Sequence, residues 1–361
     1  MRSIEELIQG HLRTLEAYTP GVQPTGEGWI KLNTNELPFS PPDSVWQAIQ
    51  EESGRLARYP NPRSEQLREV LADYHGFKVN QIIVGNGSDD LLNLLARSFG
   101  GAGRKTLETF PSYSLYPVIT AIAGGAINSI EFNENFDLPI EALLSASADL
   151  LFLTCPNAPT GIRFAQSELK RLASEHEGIL VIDEAYAEFS GESAMELVHQ
   201  YENVVITRTF SKAYGLAGLR VGYAIASAAV ISVLDRVRDS YNVNRLSQAG
   251  AVAAVKSGEY YDACILEICE TRERVREALA AMGWKIYPSK ANFLFGAPVN
   301  SSGACGADIA SSLFKHLEEH RILVRTFPKH PLTASYLRIS IGSNSEMDQF
   351  LEEVRTWTRN A

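Results

Sequence analysis

Apolar positions along the chain fall into two textures. Between residues 81 and 226, short unbroken runs occur at Ile82-Ile83-Val84, Leu150 to Thr154, Ile179 to Ile182, Val204 to Thr207 and Val221 to Ala226. Stretches of helical period, such as Asp89 to Arg97 and Glu168 to His176, separate them. Runs without polar alternation suit strands covered on both faces. Their alternation with helices predicts an α/β unit, a mostly parallel sheet wrapped by helices. Thr109 to Ile130 is uncharged, but Pro111, Pro117 and Gly124-Gly125 break it into loop, helix, turn and strand.

Upstream, Ser3-x-x-Glu6 is a capping box that predicts a helix to about Ala17. Asn33 to Pro42 reads as irregular and Asp43 to Glu52 as helix. Pro62 to Tyr74 carries Leu67, Val70, Leu71 and Tyr74 on one helical face, with Gly76 just past its end. Beyond about residue 255 the texture changes. A long helix (about Tyr260 to Met282) precedes Lys285 to Tyr287, Phe293 to Phe295, a helix at Asp308 to His320, Leu323 to Thr326, Leu337 to Ser340 and a last helix from Ser345. This predicts a smaller α+β domain, with the amino-terminal helix packed on it. The expected division is 43–255 for a large domain, and 1–42 with 256–361 for the smaller one.

Composition narrows the function classes. The 361 residues are 45% hydrophobic and 21% charged, as in an ordinary globular chain, with a net charge of −10. An acidic surface argues against nucleic-acid or anionic-membrane binding. A small anionic ligand remains compatible with it, because a pocket can be basic inside an acidic chain. Cys155, Cys264, Cys269 and Cys305 are scattered, the usage of reduced thiols. The amino terminus has no apolar signal core, so a soluble, cytoplasmic protein is expected.

Four predicted strand ends carry chemistry, where open α/β sheets bind ligands. Val84 leads into Gly85-Asn86-Gly87-Ser88-Asp89 at a helix start, a place for an anion or an ordinary capped turn. No Gly-Lys-Ser/Thr follows, so it is not a P-loop. Thr154 leads into Cys155-Pro156-Asn157-Ala158-Pro159-Thr160-Gly161, where Asn157 either meets a ligand or bonds its own turn. Ile182 is followed by Asp183-Glu184-Ala185-Tyr186, and an acid ending a buried strand needs a cation or donor unless it caps a helix. Thr207 runs into Arg208-Thr209-Phe210-Ser211-Lys212, with Arg220 eight positions after the lysine.

The four segments together resemble the fold type I pyridoxal-phosphate (PLP) aminotransferases. Ser-Lys-x-x-x-Leu-x-Gly-Leu-Arg-x-Gly at 211–222 is similar to that family's lysine segment, and Asp183 lies 29 residues before Lys212. The resemblance covers essentially the whole chain. It narrows to the histidinol-phosphate aminotransferase branch at Tyr18-Thr19-Pro20-Gly21, Asn33-Thr34-Asn35-Glu36-Leu37-Pro38, Arg58-Tyr59-Pro60, Asp183-Glu184-Ala185-Tyr186-x-Glu188-Phe189 and Leu337-Arg338-Ile339-Ser340-Ile341-Gly342.

The resemblance implies roles. Lys212 would carry the cofactor and shuttle a proton. Asp183 would face the pyridine nitrogen, Tyr186 would bond O3′, and Tyr113 would stack on the ring. Ser88, Asp89, Ser211 and Arg220 would hold the cofactor phosphate, helped by Tyr59 from a second subunit of a homodimer with shared sites. Arg338 would bind the glutamate carboxylate in one half-reaction and the substrate phosphate in the other. Arg325, Asn35 and a second subunit's Tyr18 would help. The partners would thus be a small amino donor and a 2-oxo acid. One departure stands out: Ala158 replaces the second Asn of Pro-Asn-Asn-Pro-Thr-Gly, leaving the O3′ contact to Asn157 or to Tyr186 alone.

Rival readings stay within reach of particular residues. An aromatic aminotransferase or a threonine-phosphate decarboxylase would share the same pattern. His316-Leu317-Glu318-Glu319-His320 matches the H-x-x-E-H pattern of a zinc hydrolase, with Glu319 as base. Leu313, Phe314 and Leu317 make the same helix's apolar stripe, so a solvated face without metal is expected there.

Overall fold

The computed structural model describes residues 2–360. Met1 and Ala361, which the sequence assigns to the smaller domain, lie outside them. A two-residue strand, β1 (Ile30–Lys31), comes first. Seven strands then form the central sheet: β2 (Ile82–Gly85), β3 (Lys105–Phe110), β4 (Ala126–Glu131), β5 (Leu150–Thr154), β6 (Ile179–Asp183), β7 (Val204–Thr209) and β8 (Gly222–Ala226). Their spatial order is β2-β8-β7-β6-β5-β3-β4. All neighbours are parallel except β8, which runs antiparallel to both β2 and β7.

Strands β5, β7 and β8 are buried along their whole length, because helices cover both faces. One layer uses Leu151, Leu153, Ile182 and Ile206. The opposite layer uses Phe152, Val181, Val205 and Leu91, Leu94 and Leu95 of the helix Ser88–Phe99. That division follows the two-residue period of a strand.

The remaining strands are β9 (Lys285–Ile286), β10 (Phe293–Ala297), β11 (Ile322–Leu323), β12 (Arg325–Thr326) and β13 (Leu337–Ser340). Four of them form an antiparallel sheet in the order β12-β13-β10-β9. β11 pairs in parallel with β1. Thus the single run expected over Leu323 to Thr326 is two strands, with Val324 between them and each half in a different sheet. The helices Gly258–Ala281, Ala307–Glu319 and Asn344–Asn360 pack with this part of the chain, burying Val275, Leu313, Leu317, Phe350 and Val354.

Two expectations at the amino terminus are corrected. The capping box at Ser3 forms, but the helix covers only Ile4–Leu7, followed by a tight turn at Gly10–Leu12. None of its residues is buried, so packing does not extend it. The Gly10–Leu12 turn packs against the helix Leu115–Ile122 of the central sheet rather than on the smaller one. Among the described residues no helix is long and apolar enough to cross a membrane.

Candidate active site

The carboxyl ends of β5, β6 and β7 open into a cavity of about 240 Å³ that also reaches β12 and β13. Thr154, Asp183, Thr209, Ser211, Lys212, Arg325 and Arg338 all line it. Parallel neighbours place their last residues side by side, and Thr154 is in register with Asp183, which is in register with Thr207. The cavity is the place where the central and the smaller sheet meet.

Asp183 closes its floor. The carboxylate is almost wholly buried. It accepts a hydrogen bond from Tyr116 Oη at 2.9 Å on Oδ2 and one from Thr207 Oγ1 at 2.9 Å on Oδ1. Both donors are neutral. Burial outweighs them and raises the carboxyl pKa to about 6. A buried carboxylate with two neutral donors is a ready partner for a cationic ring nitrogen. Tyr116 is itself fixed by a stack on Phe152, with centroids 4.7 Å apart, and by Thr154 Oγ1 at 2.6 Å.

Lys212 follows the helix-free turn after β7. Its Nζ donates to the Thr34 carbonyl at 2.8 Å and lies 5.9 Å from the Tyr186 ring centroid. Burial first, and then the Arg338 charge, lower its pKa to about 8. Near neutral pH a useful fraction of this amine is therefore unprotonated, as a nucleophile and proton carrier needs.

A polar corner lies at the amino end of the helix Ser88–Phe99. Here Arg220 Nη1 donates to Ser211 Oγ at 3.2 Å, and Arg220 Nη2 to Asp89 Oδ2 at 3.1 Å. Tyr113 donates to Asp89 Oδ1 at 3.0 Å. Arg220 holds a left-handed backbone, φ 52°, a conformation that costs a non-glycine residue of order 1–3 kcal/mol. Two glycines make the corner fit. A Cβ on Gly222 would fall 2.3 Å from Ser88 N, and one on Gly87 would fall 2.5 Å from Arg220 Nη2. The free backbone N–H groups of the first helical turn and the Arg220 fork suit a phosphate.

The opposite end of the cavity is built from β12, β13 and the segment Asn33–Asn35. The Arg338 guanidinium lies between the Phe293 and Phe327 rings, 5.3 and 5.5 Å from their centroids. Its Nη2 donates to the Asn33 carbonyl at 2.9 Å, while its buried Nε has no partner. Burial and the nearby Arg325 hold its pKa below the usual arginine range. An anion in the cavity would offset the two neighbouring arginine charges. Arg325 itself donates to the carbonyls of Thr19 and Pro20. Asn35 has a left-handed backbone and donates from Nδ2 to Tyr186 Oη at 3.0 Å.

Of the residues singled out from sequence, Tyr18, Asn35, Ser88, Asp89, Tyr113, Asp183, Tyr186, Ser211, Lys212, Arg220, Arg325 and Arg338 meet at this cavity. Tyr18 was expected from a second subunit. It lies here against its own chain's Tyr113, ring centroids 6.0 Å apart, because Arg325 ties down the backbone just after it. Tyr59 is not in its own chain's cavity; it is 77% exposed and stacks on Tyr241. Asn157 is not among the lining residues either. Its Nδ2 bonds Thr160 Oγ1 at 3.0 Å and the Pro111 carbonyl at 3.4 Å, its buried Oδ1 has no partner, and Ala158 lines the cavity beside it. Sequence reasoning missed Tyr116, Thr207 and Thr34. Tyr116 could have been found one helical step beyond Tyr113; the other two carry no sequence signal.

The aminotransferase class I and II family matches residues 27–354. The chain belongs to that family. Among curated relatives, the histidinol-phosphate aminotransferase of Synechocystis sp. is 41% identical over 344 residues, 95% of this chain and 96% of that one. The same enzyme of Citrifermentans bemidjiense is 40% identical over 350 residues, 96% and 97% of the two chains. A solved structure of histidinol-phosphate aminotransferase from Sinorhizobium meliloti, in complex with pyridoxal-5'-phosphate, superposes with a TM-score of 0.83 at 28% identity, over 91% of each chain. As a member of this family, the chain has the expected mostly parallel sheet with helices and a smaller antiparallel sheet beside it.

Proposed function

We propose that this chain is a PLP-dependent histidinol-phosphate aminotransferase, transferring an amino group reversibly between histidinol phosphate and 2-oxoglutarate in histidine biosynthesis. The observation that carries the reading is one cavity lined by Lys212, Asp183, Arg325 and Arg338 together. The curated relatives near 40% identity are histidinol-phosphate aminotransferases, which supports the same amino donor.

The residues present fit the cofactor. Ser88 and Asp89 backbone N–H groups, Ser211 and Arg220 would take its phosphate, Asp183 its ring nitrogen, and Tyr113 one ring face. The bound cofactor supplies an electron sink for the bond broken at the substrate's amino carbon. The chain supplies the rest. Asp183 would keep the ring nitrogen protonated. Lys212 would hold the cofactor through Nζ and serve as the proton carrier at the substrate's amino carbon. Tyr186 Oη, already held by Asn35, would make the O3′ contact, alone or with Asn157. Arg338 presents a fork to carboxylate or phosphate, and Arg325 and Tyr18 extend that end.

The larger assignments belong here too. Residues 43–255 would form the cofactor-binding domain, and 1–42 with 256–361 the smaller one. Sheet membership supports this division, with the Gly10–Leu12 turn as the exception. The enzyme would work in the cytoplasm as a homodimer whose sites are completed by Tyr59 of the second subunit. The exposure of Tyr59 on its own chain supports that placement.

The test is a steady-state panel with histidinol phosphate, phenylalanine, tyrosine and threonine phosphate, with 2-oxoglutarate as acceptor. Histidinol phosphate is expected to be turned over with the highest kcat/KM. Equal or better turnover of phenylalanine, or carbon dioxide release from threonine phosphate without 2-oxoglutarate, would overturn the reading.

A further inference from the structure

Two histidines outside the cavity meet a carboxylate from another helix. His316 and His320 lie one turn apart at the end of Ala307–Glu319, with ring centroids 4.2 Å apart. Glu353 reaches them from the last helix, Asn344–Asn360. Its Oε2 lies 3.1 Å from His316 Nε2 and 3.8 Å from His320 Nε2. One ligand-type atom from each residue falls within 4.8 Å of the other two.

The second ring nitrogen of His320 is decisive. His320 Nδ1 lies 2.8 Å from the His316 carbonyl oxygen. A carbonyl can only accept, so Nδ1 carries the hydrogen. In the neutral ring the lone pair is then on Nε2, on the side of Glu353. A histidine that donates one ring N–H to a backbone carbonyl and offers the other nitrogen is arranged as metal-binding histidines are. Two imidazole nitrogens and one carboxylate oxygen suit zinc and its transition-metal neighbours, and not calcium or magnesium, which take oxygen donors. Tetrahedral zinc with bonds near 2.0–2.2 Å needs ligand atoms about 3.3–3.5 Å apart. The spacings at Glu353 bracket that value and all three ligand atoms lie within 4.8 Å of one another, so side-chain rotation is what closing the set requires.

We propose that His316, His320 and Glu353 form a binding site for one divalent transition-metal ion of the zinc type, clamping the helix Ala307–Glu319 to the last helix. His320 is exposed, which leaves a fourth position to water. The ion displaces at most the proton that His316 Nε2 shares with Glu353, and no bond to carbon is involved. The site differs from the one suggested by the H-x-x-E-H pattern. Its carboxylate comes from Glu353 and not from Glu319, and it shares no residue with the Lys212 cavity.

Calorimetric titration of Zn²⁺ into tag-free, PLP-loaded enzyme, stripped with a chelator, tests the site. One equivalent is expected to bind in the micromolar range. His320→Gln and Glu353→Gln should each weaken it at least about tenfold, leaving amino transfer unchanged, and His316→Gln/His320→Gln should abolish it. Nitrogen NMR of labelled histidines should place the metal on Nε2 of His320 while Nδ1 keeps its hydrogen. The control His11→Gln should bind as the native chain does. Absence of saturable binding tighter than about 0.1 mM would overturn the proposal. So would native affinity in the double variant with its circular dichroism unchanged.

Discussion

Replacing Tyr116 by Phe removes one oxygen atom from beneath the site and leaves the ring stack on Phe152 in place. Thr154 Oγ1 loses one neighbour but keeps Ser112 Oγ at 3.1 Å. The loss falls on Asp183, which keeps only the Thr207 hydroxyl as a side-chain donor. A hydrogen bond to a charged group is worth about 1.5–3 kcal/mol. At 1.36 kcal/mol for each tenfold change in proton affinity, that is roughly a tenfold to hundredfold gain in proton affinity, raising the carboxyl pKa further above about 6. The sign follows from which form is stabilised. Tyr116 donates to the carboxylate, so its loss favours the protonated acid, and the charged fraction at pH 7 falls. Infrared difference titration of cofactor-free protein labelled in the aspartate carboxyls should show this carboxyl titrating higher in Tyr116→Phe. In the holoenzyme, the acid limb of the kcat profile should move to higher pH in parallel. An unmoved titration in a variant with a native circular dichroism spectrum would refute the claim that Tyr116 sets the charge on Asp183.

Two other outcomes bear on the far end of the cavity and on assembly. Arg338→Ala should weaken both half-reactions by about 1.5–3 kcal/mol with little change in the cofactor spectrum, and Arg325→Ala should weaken both less; single-turnover spectra that show only the glutamate half-reaction impaired would rule out a shared anion site. Mixing Tyr59→Ala with Lys212→Ala should restore activity through hybrid dimers in which one site holds both native residues; no recovery after proven subunit exchange would place Tyr59 outside the shared site.

The parts of the fold that were legible in the sequence are those where one force dominates. The five buried runs between Ile82 and Ala226 are strands because nothing but burial on both faces explains them. Strand β3 went unread because its sequence, Lys-Thr-Leu-Glu-Thr-Phe, looks exposed. Glu108 is nonetheless buried, accepts a hydrogen bond from Ser129 of the neighbouring strand, and has its pKa raised by burial to about 7. The capping box at Ser3 correctly marks where a helix starts and says nothing of where it ends, because length depends on a partner surface that only the tertiary structure shows. Lys212 and Asp183 stood out at strand ends and Arg338 only through family resemblance, and the structure brings all three to one cavity. At Asn157 turn and ligand compete for the same amide: Nδ2 is held by Thr160 while the buried Oδ1 has no partner, and the residue type alone does not encode that division. Thr34 acts through its backbone carbonyl, and side-chain identity does not encode that contact.

The segment Asn33–Asn35 touches both ends of the cavity. Arg338 holds the carbonyl of Asn33, Lys212 that of Thr34, and Ser340 and Tyr186 hold Asn35. In the proposed function, the arginine that would select the substrate and the lysine that would carry the cofactor therefore share one support. Remodelling the Arg338 anchor to accept a different amino donor will disturb Lys212 as well. Arg325 instead holds the separate backbone of Thr19 and Pro20. Changes there can alter the outer pocket while the lysine keeps its support, so an engineer seeking new donors should begin from that side.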